Sequence, residues 1–83
     1  MKITGTRGYI DIEHDGKTAR FSGDMCIDGF AAIASTMKWL SPHENLLVTT
    51  EERLKLMKSV RKEVKDNKYK VFFTNEKYED LEF

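Results

Sequence analysis

His14, His43 and Cys26 are the side chains of this sequence best suited to ligate a transition metal, and their spacing does not suit one. A structural zinc site draws on closely spaced pairs such as Cys-x-x-Cys or His-x-x-x-His, which aim two donors at one ion. No two of these three residues share such a spacing. His14 reads instead as a strand end beside a turn, and Cys26 as a small apolar residue. Ser41, His43 and Glu44 supply the hydroxyl, imidazole and carboxylate of acyl-transfer chemistry. Adjacency in a loop, however, does not build the chain from nucleophile to base to orienting acid. Asp11, Glu13, Asp24 and Asp28 offer carboxylates for acid–base work, yet nothing in the sequence buries them. Gly5-Thr6-Arg7-Gly8 lacks both the lysine and the strand-before-helix setting of a phosphate loop. The expectation is therefore no catalytic set, no metal, no cofactor and no small-molecule ligand. Binding of another macromolecule is left.

The elements that must carry such a surface can be read in part. Asp15-Gly16 between two alternating runs is a strong hairpin signal, because both residues of a two-residue turn need positive φ. With those two in the loop, His14 faces Lys17, and the pairs step outward. Ile12 meets Ala19 and Ile10 meets Phe21 on one face. Glu13 meets Thr18, Asp11 meets Arg20 and Tyr9 meets Ser22 on the other. A slip of one residue would set Ile against Arg, so the register is specified. Residues Phe30–Leu40 fit both a helical face and an alternating strand. The preferred reading is a third strand near Phe30–Ala34, then a short helical turn begun by Ser35 or Thr36, closed by Pro42.

Thr49, with Glu52 three residues later, is a capping box that opens a long helix over about residues 50–66. Leu54, Met57, Val60 and Val64 form its apolar stripe, with Arg61 at the edge and Leu56 flanking. Asp66-Asn67 reads as the stop. Tyr69–Thr74 alternates as a last strand, whose edge is open to pairing with a partner strand. The expected architecture is α+β: a small antiparallel sheet, made of the N-terminal hairpin, the third strand and the C-terminal strand, packed on one helix.

Composition narrows the function further. The 83 residues fit one domain, 1–83, and 14 basic residues balance 14 acidic ones. Zero net charge argues against a domain built to hold a polyanion by bulk charge. One local exception exists: residues 51–70 carry eight basic residues against four acidic, next to Tyr69, Phe72 and Phe73. A basic helix face over 53–70 beside aromatics is the alternative reading, a small nucleic-acid-binding module. Lys and Arg also fill the exposed face of any amphipathic helix, and residues 71–83 return a net charge of minus three. Nucleic acid is therefore the disfavoured partner. The apolar runs are short, and the first twenty residues hold charges throughout with no apolar core of a signal peptide. With a single cysteine, no internal disulfide forms, and the expected location is the cytoplasm.

Ser35-Thr36-Met37-Lys38-Trp39, then Pro42-His43-Glu44-Asn45, Val48-Thr49 and Glu51-Glu52, resemble small immunity proteins of bacterial polymorphic-toxin and contact-dependent growth inhibition systems. Thr6-Arg7-Gly8-Tyr9-Ile10 and Asp15-Gly16-Lys17 resemble the N-terminal hairpin of that group. The chain departs from the pattern after Trp39, where Leu40-Ser41 stands in place of an acidic residue and proline. The resemblance implies a protein that blocks a cognate toxin, often a nuclease, by direct stoichiometric binding. A nuclease presents a basic cleft, so the preferred toxin-binding residues are the acids Asp11, Glu13, Asp24, Asp28 and Glu44, with the basic helix meeting an acidic toxin surface as the open alternative. Trp39 and His43, in or beside the same loop as Glu44, join the acids. Trp39 reads as either a core plug or an interface anchor.

Overall fold

A computed structural model describes residues Met1–Phe83. The chain runs β1 (Lys2–Gly5), β2 (Tyr9–His14), β3 (Lys17–Cys26), β4 (Gly29–Ile33), a 3-10 turn (Ala34–Thr36), β5 (Lys38–Trp39), α1 (Thr50–Glu63) and β6 (Lys70–Thr74). The six strands make one sheet in the order β1-β2-β3-β4-β6, with β5 also paired to β3. One helix covers one face, so the domain is α+β with two layers.

The β2–β3 hairpin has the register expected from the side-chain pattern, from His14↔Lys17 out to Tyr9↔Ser22. Asp15 (φ 51°) and Gly16 (φ 79°) both take the left-handed conformation that such a turn demands. On the far side of β3, Gly23–Cys26 pairs with β4 and Ala19–Arg20 pairs with β5. The gap between them is filled by Thr36, whose Oγ1 accepts the Ser22 amide at 2.8 Å and lies 2.6 Å from the Ile33 carbonyl. The stretch that fits both helix and strand is thus a strand, a single 3-10 turn and a second short strand.

The sheet is mixed rather than wholly antiparallel. β4 and β6 run parallel, Gly29 opposite Lys70 through Ile33 opposite Thr74. A parallel partner needs a crossover, and α1 provides it. Two glycines permit close backbone approach: a Cβ on Gly29 would lie 1.9 Å from the Lys70 carbonyl oxygen, and one on Gly23 1.9 Å from that of Ala31. β1 extends the sheet beyond the expected hairpin, with Ile3 opposite Ile12.

α1 begins as expected. Thr49 Oγ1 accepts the Glu52 amide at 3.0 Å and the Glu52 carboxylate accepts the Thr49 amide at 3.3 Å, a complete capping box. The helix ends at Glu63, short of the expected 66, and the Val64 carbonyl accepts both the Asn67 amide at 3.0 Å and the Lys70 ammonium at 3.1 Å. Leu56, Met57, Val60 and Val64 are buried, whereas Leu54 is exposed. The stripe is therefore rotated by part of a turn from the expected one, so that Leu56 faces the sheet. Ile10, Ile12, Ala19, Phe21, Phe30, Ala32, Trp39, Val71 and Phe73 complete the core. Phe21 and Phe73 meet edge to face at 5.1 Å. The segment after β6 folds back: Thr74 bridges Asp80, Leu81 donates its amide to the Phe73 carbonyl at 3.0 Å, and the Phe83 ring sits 6.0 Å from Phe73 and 4.1 Å under the Arg61 guanidinium.

Candidate functional site

The expected site residues do not gather into one place. Asp11 lies on the uncovered face of β2 and is held by Arg20 in a two-pronged pair, 2.8 and 2.9 Å. Arg20 also stacks over Tyr9, 3.7 Å from its ring centre. The Asp11 carboxylate thereby holds the Arg20 guanidinium above its usual pKa. This charge is compensated within the sheet. Glu13 is exposed next to it, opposite Lys2 and Thr18 in the register. Trp39 is 8% exposed and belongs to the core, with its indole N–H buried and unpartnered. The Lys17 ammonium lies 4.5 Å from the Trp39 ring centre and 3.5 Å from the Glu52 carboxylate, which ties the hairpin turn to the start of α1. His43 and Glu44 occupy the turn-rich loop after β5 and make no side-chain hydrogen bond.

Asp24 and Asp28 have a different setting. They stand at the β3–β4 turn, where the sheet's open face becomes apolar. Asp24, Met25, Cys26, Ala31, Phe72, Thr74, Tyr78 and Asp80 line a shallow groove of about 330 Å³. Alternation explains it. Phe30, Ala32, Val71 and Phe73 point to α1, so Ala31 and Phe72 point to the uncovered face. Ala31 gives a low floor. Phe72 is 39% exposed, Met25 49%, Tyr78 48%, and Ile27 at the turn is fully exposed. An antiparallel sheet with one solvated face normally shows polar residues there. The β1–β2–β3 part does so; the β4–β6 part does not.

No acid on this rim is neutralised in the way Asp11 is. The Lys and Arg ion pairs of the molecule are Lys17–Glu52 and Arg20–Asp11, and Asp24, Asp28 and Asp80 take part in neither. No group of three His, Cys, Asp or Glu side chains is placed to hold a metal ion. No helix is long and apolar enough to cross a membrane. Sequence reasoning named Asp24 and Asp28 from charge alone and did not single out Phe72 and Tyr78, which line the groove with Asp24. The alternation of Tyr69–Thr74 with a wet face marks Phe72 as outward, which was the available signal.

The immunity protein 74 family model matches residues 2–74, nearly the whole chain. The chain belongs to that family. The match spans β1 to β6 and stops where the returning segment begins, so Tyr78 and Asp80 lie beyond the matched frame. No curated protein and no solved structure matches the chain. Membership makes this an immunity protein of a toxin system, in keeping with the resemblance carried by the Ser35–Trp39 and Pro42–Asn45 segments.

Proposed function

We propose that this protein protects a bacterial cell by binding a cognate toxin directly, one to one, in the cytoplasm, and that the toxin is a nuclease. Membership of an immunity family over residues 2–74 carries the reading. Inhibition proceeds by occupation and needs no turnover, which accords with a surface where no nucleophile, base and orienting acid converge. A domain of this size offers a standard interface of about 800 Å² per partner. That is about a seventh of its 5744 Å² surface. The nuclease assignment comes from the family resemblance, and charge is compatible with it: an enzyme that grips a polyanion presents cations, which carboxylates on an inhibitor can complement.

The test is co-expression with the toxin encoded beside it. The expected result is survival of the producing cell and a one-to-one complex in gel filtration. Absence of both complex and protection would overturn the proposal. The nucleic-acid reading is weakened by the layers themselves. The basic residues Lys58, Lys62 and Lys65 stand exposed on α1, while Phe72 is on the opposite, uncovered face of the sheet and Phe73 is buried.

A further inference from the structure

Three surfaces present unpartnered apolar groups. Leu46 and Leu47 are exposed in the loop after β5, but they line no concavity. The groove between the end of α1 and β6 is rimmed by Arg61, Lys65 and Lys70 and is already occupied on one side by Leu81 and Phe83. The third is the acid-rimmed groove on the open face of β4 and β6.

We infer that this third groove is the toxin-docking surface, and that it receives a basic patch in which an apolar side chain stands between lysines or arginines. The inference rests on the proposed toxin binding and adds where the toxin sits and with what chemistry. Ala31 lies in the groove between Phe72 and Tyr78, and this supplies the desolvated centre on which interface energy concentrates. Asp24 and Asp80 line the groove, Asp28 stands in the adjoining β3–β4 turn, and none of the three is in an ion pair. The stretch from Asn75 to Phe83 adds four carboxylates against the single Lys77. The opposite layer carries the helix with its basic excess. A cationic partner is thus drawn to the sheet side and repelled from the helix side. Tyr78 couples an apolar ring to a hydroxyl, which suits it to packing on a partner side chain while staying hydrated at its edge.

Cys26 lines the groove and is the only cysteine, so its thiol reports occupation without any substitution. The experiment uses the full chain, free and in complex with the toxin encoded beside it, the latter made harmless by an inactivating substitution. Modification of Cys26 by N-ethylmaleimide is followed in both. The expected result is labelling at least about tenfold slower in the complex, since reaction requires access to the thiol. In parallel, Asp24→Lys with Asp28→Lys should weaken binding by about 100-fold or more. Lys58→Glu with Lys62→Glu on α1 should leave affinity unchanged. Circular dichroism confirms that each variant is folded. A complex that forms while Cys26 reacts as fast as in the free protein overturns this surface and leaves toxin neutralisation standing. Failure of any complex to form overturns both.

Discussion

Thr49 and Glu52 set the start of the only helix through reciprocal hydrogen bonds, and the consequences are measurable residue by residue. Thr49→Ala should cost about 1 kcal/mol, read as a lower urea midpoint with an unchanged slope. The Glu52 carboxyl is held below its usual pKa, first by the Thr49 amide, then by the Thr49 hydroxyl, with the Lys17 ammonium adding to them. A lowered folded pKa means that its contribution is complete above the usual value of 4.5 and is lost as pH falls through the lower one. Glu52→Gln should therefore flatten the acid limb of the stability curve, seen as urea midpoints that vary less between about pH 3 and 5. Glu76 behaves in the same sense, lowered chiefly by the Ser35 hydroxyl 2.5 Å away. Trp39 is the contrasting case. Buried among core residues, it should cost about 3–5 kcal/mol when cut to Ala. Trp39→Phe should fold and bind toxin like the parent in titration calorimetry, because the ring is not on the surface. The choice between core plug and anchor was open in the sequence, since a tryptophan beside a proline-containing loop fits both.

At the scale of elements, the parallel joint between β4 and β6 is the most exacting contact. Gly29 has no room for a methyl group against the Lys70 carbonyl. Gly29→Ala should destabilise the domain by about 1–3 kcal/mol or more, and hydrogen exchange should show the amides of β6 losing protection before those of β2 and β3. This joint also marks where the sequence stopped being readable. The β2–β3 hairpin and the capping box are local, each specified within a dozen residues by alternation or by a four-residue motif. Strand direction in β6 depends instead on how α1 crosses the sheet, which no side-chain pattern in Lys70–Thr74 records. β1 and β5 were illegible for another reason. Two to four residues hold too little alternation to stand out, and Lys38-Trp39 is a strand only because β3 offers an edge there. Leu54 and Leu56 differ by part of a helical turn, and tertiary packing chose between them.

The whole molecule has zero net charge yet is not electrically even. Residues 51–70 carry eight basic residues against four acidic, while the returning segment 75–83 carries four acidic against one basic. Association with a basic toxin should accordingly slow as salt rises, by about tenfold or more between ~0.05 and ~0.5 M, with the dissociation rate changing less; stopped-flow fluorescence would measure both. Binding whose rate ignores salt would contradict this polarity. The same two-ended construction bears on when protection begins. Gly29 and Lys70, 41 positions apart, must meet before the groove has its second wall. Translation delivers β1 to β4 first, joined by local hairpin pairings, and the helix and final strand that complete their core follow. Phe72, Tyr78 and Asp80 arrive last. A chain still short of β6 therefore lacks the inferred docking groove, and a truncation ending before Lys70 should show no toxin binding in titration calorimetry.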